Sequence, residues 1–114
     1  MTNREVRTWY KSQVARIPQL NQEWLRRGDS TEQRARQAWR IRRDARLKAR
    51  GMMEDPKEVE LLEQRDMSIY GNRQGPSFEQ LFESYKREGR SDDQIYELII
   101  VGAATTNRQV DGTT

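Results

Sequence analysis

The stretch DSTEQRARQAWRIRRDARLKARGMM, residues 29–53, decides the fold. From Ser30 to Arg50 it contains neither Gly nor Pro, and Ser30 with Gln33 makes a capping-box start, Asp29 being the alternative cap. On a wheel of 100° per residue, Ala38, Ile41, Ala45, Ala49 and Met52 fall within an arc of roughly 80°. Arg36, Arg40, Arg43, Arg46 and Arg50 fall within roughly 120° on the other side. This spacing predicts a long amphipathic helix with an alanine-rich packing face and an arginine stripe. Gly51 ends the helix or weakens its last turn.

The flanking sequence repeats the same grammar at shorter range. Thr2 with Glu5 opens a helix carrying Val6, Tyr10, Val14 and Ile17 on one stripe, with Trp9 beside it. Pro18 interrupts that helix or starts the next, on which Leu20 and Trp24 continue to Gly28. Asp55 caps a helix with Pro56 first and Glu58 completing the box, running to Tyr70 and stopping at Gly71. Residues 71–76 (GNRQGP) form a loop, because two glycines and a proline in six residues suit turns. Ser77 with Gln80 starts a helix whose Phe78, Leu81, Phe82 and Tyr85 share a face and which Gly89 closes. Ser91 with Gln94 starts another, carrying Ile95, Leu98 and Ile99. The expected fold is all-α, a compact single-domain bundle of five or six short helices with one long Arg-rich helix over 1–102. A polar tail follows over 103–114.

Composition narrows the chemistry. The chain has 114 residues, 33% apolar and 34% charged, with no Cys and no His. Disulfides, thiolate nucleophiles, imidazole bases and the usual zinc sites are therefore excluded, and carboxylates, Arg, Lys, Tyr, Ser, Thr and backbone groups remain. No apolar run reaches the roughly 18 residues of a membrane span. The N-terminal MTNREVRTWY lacks the apolar core of a signal peptide, so we expect no membrane association and no export signal in this chain.

The net charge of +3 hides an asymmetry: residues 1–53 hold 14 basic and 5 acidic side chains, and residues 54–114 hold 7 and 13. Two readings of the arginine stripe stand. Its guanidiniums, with Trp39, suit phosphate forks and base stacking. They equally suit a solvated face balanced by the acidic helix with Glu58, Glu60 and Glu63.

Asp66 interrupts an apolar pattern. It falls near the middle of the stripe formed by Val59, Leu62, Ile69 and Tyr70, where an unpaired carboxylate is costly. It requires a donor, and Arg42, close to the small-residue face of the long helix, is the first candidate; Arg65, Arg43 and Arg46 are the fallbacks. One reading is a buried clasp fixing helix register. The other makes Asp66, with Tyr70 and the Asn72-Arg73 loop, one wall of a cleft in which a desolvated carboxylate acts as base or metal ligand.

Several segments together resemble a small helical module at the C-terminus of polymorphic toxins, such as Rhs-repeat and other secreted effectors of Gram-negative bacteria. They are Asn3-Arg4-Glu5-Val6-Arg7 with Trp9-Tyr10, Arg34-Ala35-Arg36 with Ala38-Trp39, Ile41-Arg42 with Asp44-Ala45-Arg46, and Met52-Met53. Arg65-Asp66-Met67, Tyr70-Gly71-Asn72 and Gly75-Pro76 with Phe78-Glu79 continue the pattern, so that the likeness spans most of residues 3–107. It implies a warhead secreted as part of a larger effector, acting in the target-cell cytoplasm and neutralised in the producer by a cognate immunity protein. Where the family pattern often carries His, this chain has Arg43, so an imidazole mechanism does not transfer.

The resulting expectation is an antibacterial toxin domain acting on nucleic acid. Arg36, Arg40, Arg43 and Arg46 are the candidate phosphate contacts, Arg42, Asp66 and Tyr70 the candidate catalytic residues, and Asn72 and Arg73 the loop donors. Phosphodiester cleavage without His or Cys requires a carboxylate-held divalent metal or an Arg/Tyr-assisted transfer. For the metal, Glu63 or Asp44 is the second ligand to nominate. The alternative is a noncatalytic basic helical module that binds nucleic acid or an acidic protein.

Overall fold

The structure, a computed structural model, describes residues 1–102. Six helices follow one another: α1 (Asn3–Val14), α2 (Ile17–Arg27), α3 (Thr31–Met52), α4 (Pro56–Tyr70), α5 (Phe78–Lys86) and α6 (Asp92–Val101). There is no strand among the described residues, and the all-α bundle expected from the periodicity is the one that forms. The polar tail expected from residue 103 lies outside the described residues.

Helix ends follow from local chemistry. Thr2, Ser30, Ser77 and Ser91 each accept a backbone N–H three residues on, and Glu5, Gln33, Gln80 and Gln94 accept the cap residue's own N–H in return. These reciprocal bonds satisfy donors that a helix start otherwise leaves open. Pro18 sits in the first turn of α2, where its missing N–H costs no helical bond. Gly28 and Gly71 close α2 and α4 with φ of 89° and 76°, the left-handed region that a Cβ disfavours. Gly51 does not stop α3, which continues to Met52. At α4, Asp55 accepts from Lys57 N, but Glu58 does not complete the expected box. Its carboxylate instead accepts from Asn3 Nδ2 at 2.5 Å, because α1 lies within reach.

The long helix is the axis of the bundle. It packs against α1, α2 and α6, and α6 in turn packs against α5. On one flank Ala38 meets Ile17 and Trp24, with Val14, Leu20 and Ile41 around them. On another, Ala35 meets Phe78, Ile95, Ile99 and Ile100, with Trp39, Phe82 and Tyr96 packed alongside. This second flank corrects the single apolar arc expected for the helix. Ala35 and Trp39 project between arginines, and the aromatic residues of α5 and α6 supply the apolar mass there. Phe78 is its centre, with Trp39 edge-on at 6.2 Å and Tyr96 stacked at 6.4 Å between ring centroids.

The fourth helix is attached differently. Asp66 is its only buried residue. Ile69, expected on the inward stripe, is 57% exposed, and Leu61 is 67% exposed. Polar ties at three levels hold the helix instead: Asn3 to Glu58 at its start, Asp66 to α3 in its middle, and Gln80 Nε2 to the Tyr70 carbonyl at 2.9 Å at its end. Between them α4 stands off from α1 and leaves a cleft.

Candidate functional site

The cleft has a volume of about 360 Å³ and is built from three helices. Its α1 wall presents Val6, Arg7 and Tyr10; its floor is Arg46, Ala49 and Arg50 of α3. Leu62, Arg65, Asp66, Ile69 and Tyr70 form the α4 wall. The backbone explains this grouping. Residues 62, 65, 66 and 69 are spaced three and four apart and therefore share one side of α4, as residues 3, 6, 7 and 10 do on α1.

Asp66, 5% exposed, is the electrostatic centre. Its Oδ2 accepts from Arg50 Nη2 and lies 3.5 Å from Arg46 Nη2. The Arg42 pairing expected for Asp66 is therefore corrected. Arg50 reaches the carboxylate from two turns further along α3, while Arg42 points to the C-terminal turn of α6. There its Nη1 and Nη2 donate to the carbonyls of Ile99 and Ile100, capping α6, the latter bond at 2.9 Å. Burial pushes the Arg42 guanidinium's pKa down, with the Tyr10 and Tyr85 hydroxyls acting in the opposite sense. Of the three residues expected to form the reacting group, Asp66 and Tyr70 line the cleft together and Arg42 does not.

The arginine stripe is largely committed to the fold. Arg36 binds Glu32 and Glu79, each at 3.2 Å, and lies 4.2 Å above the Phe78 ring. The Tyr96 hydroxyl, and after it Arg36, hold the Glu32 carboxyl below the usual carboxylate range. Glu79 is lowered by its own backbone N–H and then by Arg36. Arg43 donates to Gln74 Oε1 at 3.0 Å and sits 5.5 Å from the Trp39 ring. Arg46 donates to the Gln74 carbonyl at 2.6 Å, and Arg50 to the Arg73 carbonyl at 2.8 Å. Of the expected phosphate contacts only Arg46 lines the cleft; Arg40 is exposed elsewhere on α3.

The loop residues serve structure as well. Asn72 Oδ1 accepts the Gln74 N–H at 2.8 Å, an Asx turn, and Arg73 contributes its carbonyl to Arg50. Neither lines the cleft. The residues also do not fit a divalent metal. Of the two carboxylates in the lining, Asp66 is matched by two guanidiniums and Glu58 accepts from Asn3, and no cluster of three His, Cys, Asp or Glu side chains that could hold a metal forms among the described residues.

Sequence reasoning overlooked two kinds of residue. Arg7 and Tyr10 belong to the cleft but read as ordinary surface or core positions, since nothing local shows that α1 and α4 face each other across α3; Arg65, expected only as a fallback donor to Asp66, lines the cleft as well. Arg34 is buried and binds Asn21 Oδ1 at 2.9 Å and Thr31 Oγ1 at 3.2 Å, knitting α2 to α3. Its place one turn before Ala38 and beside Ala35, on a packed side of α3, was the available signal. No helix among the described residues is long and apolar enough to cross a membrane. In comparison with known proteins, no family model, curated protein or solved structure matches this chain.

Proposed function

We propose that this chain is the effector domain of a larger secreted antibacterial protein, acting in the target-cell cytoplasm on nucleic acid through the cleft between α1, α3 and α4. The observation that carries the nucleic-acid part is the cleft's lining: four guanidiniums, those of Arg7, Arg46, Arg50 and Arg65, face two carboxylates, with Tyr10 and Tyr70 beside them. A concave site with excess positive charge and aromatic rings suits phosphates and bases together. The toxin setting rests on the sequence resemblance, which also supplies the cognate immunity protein as partner. The basic first half of the chain, with 14 basic and 5 acidic residues, suits an acidic partner as well.

One observation favours the noncatalytic form of this reading. Asp66 is tied into an ion pair with Arg50 and Arg46, so its carboxylate already serves to hold α4 on α3. Binding that blocks use of a nucleic acid is the action the site supports best. The test is expression in a bacterial cytoplasm of the wild-type chain and of Arg7→Glu with Arg65→Glu, alongside RNA and DNA integrity with and without Mg²⁺. Growth arrest with intact nucleic acid, relieved by the double charge reversal, is expected. Absence of arrest refutes the toxin setting, and degraded nucleic acid refutes the noncatalytic form.

A further inference from the structure

Resting on the nucleic-acid reading, the geometry points to a narrower ligand: we propose that the cleft takes one unpaired nucleotide of a single strand, base inward and phosphate at the rim, and does not read a duplex. Reading a duplex through its major groove takes a helix or ribbon that projects into a groove roughly 12 Å wide. Among the described residues the only helix rich enough in arginine is α3, and it is the axis of the bundle, packed against α1, α2 and α6. Most of its guanidiniums are tied to Glu32, Glu79, Gln74, Asp66 and the carbonyls of Ile99 and Ile100, and Arg40 is left as the exposed member of the stripe without a partner among the described residues. The basic composition therefore supplies no recognition helix.

The cleft has the opposite character. Its volume of about 360 Å³ accommodates one small ligand and not a double helix. Both arginine contacts to Asp66 fall on Oδ2. Oδ1 receives no hydrogen bond from the described residues and remains an acceptor for a base N–H or a ribose hydroxyl. A carboxylate there repels phosphate. At the rim Arg7 and Arg65 are exposed and form no ion pair among the described residues, so phosphate is favoured outside. Tyr10 and Tyr70, half-buried on the α1 and α4 walls, supply aromatic rings to the cleft lining, and stacking on an aromatic ring is available to every base once it is unpaired.

The test is fluorescence anisotropy of the full chain at low salt with labelled 12-nucleotide single-stranded RNA, single-stranded DNA of the same sequence, and the 12-base-pair duplex. Single strands are expected to bind at least tenfold more tightly than duplex. Tyr10→Ala and Arg65→Glu should each weaken single-strand binding fivefold or more, with helical content unchanged by circular dichroism. Should Tyr10→Ala unfold, exposed Arg65→Glu and the wild-type preference decide. Preference for RNA over DNA would assign Oδ1 to the ribose hydroxyl, and equal binding would assign it to the base; both support a single-stranded ligand. Equal binding of duplex and single strand, or indifference to Arg65→Glu, overturns this inference and leaves the nucleic-acid reading intact. Absence of binding to all three overturns both.

Discussion

Arg50 and Asp66 form the buried ion pair that fastens α4 to the axial helix; the two side chains are 9% and 8% exposed, and Arg46 stands 3.5 Å from the same carboxylate oxygen. The pair replaces the apolar contact that the other helices make with α3, so α4 is both the cleft's wall and its most weakly anchored element.

Removing one partner leaves a buried charge uncompensated. Asp66→Ala should destabilise the chain by roughly 3 kcal/mol, at the low end of such losses because Arg46 remains to be rehydrated at the cleft. Arg50→Met with Asp66→Leu should recover much of this loss, since an apolar pair of similar volume avoids desolvating two ions. Urea denaturation of the single and double variants measures both effects.

Arg42 holds the last turn of α6 through the Ile99 and Ile100 carbonyls. Arg42→Met should cost about 1.5–3 kcal/mol, the range for hydrogen bonds from a charged donor. It should also speed amide hydrogen exchange in the last turn of α6 while leaving α1 protected.

Two glycines with positive φ are also packed against arginines. A Cβ at Gly102 would overlap the Arg42 guanidinium, and one at Gly75 would overlap that of Arg46, whereas Gly28 faces open space. Gly28→Ala should therefore cost about 1 kcal/mol from backbone strain alone. Gly75→Ala and Gly102→Ala should each cost more, because the guanidinium must also leave its carbonyl acceptors. Thermal unfolding of the three variants ranks them.

Acid should weaken the fold through surface carboxylates on α3, on α5 and in the turn before α3. Glu32, Glu79 and Asp29 have pKa values lowered in the folded chain, by the Tyr96 hydroxyl, the Glu79 backbone N–H and Arg27 respectively as the leading causes. Their stabilisation is complete above the ordinary carboxylate pKa of about 4 and is lost as pH falls through the lowered values. The melting temperature should be flat from pH 7 to about 5 and fall below about 4. Glu32→Gln with Glu79→Gln should flatten that fall.

Much of this fold was legible because its punctuation is local. Four Ser or Thr caps with Glu or Gln three residues on, and glycines after α2 and α4, mark helix ends within a few residues of where they occur. Asp66 was also legible as a misplaced charge. Of its two partners Arg46 was among the expected fallbacks and Arg50 was not, because the wheel ranks arginines by angle on α3 alone, while the choice of Arg50 over Arg42 depends on where α6 ends and needs a cap. The cleft was legible only as its α4 wall, Asp66 with Tyr70, and its α1 wall was not, for the same reason. Arg7 and Arg65 are 58 residues apart in the chain and meet one space only because α1 and α4 flank the same end of α3.

The central claim is that ligand enters between α1 and α4. Its most direct test is a titration of ¹⁵N-labelled protein with a single-stranded 12-nucleotide RNA followed by amide chemical shifts. We expect the largest shifts at Arg7, Tyr10, Arg46, Arg65 and Tyr70, with α2 and α5 nearly unchanged. Shifts centred on α2 or α5, or spread evenly over the basic surface, would contradict it.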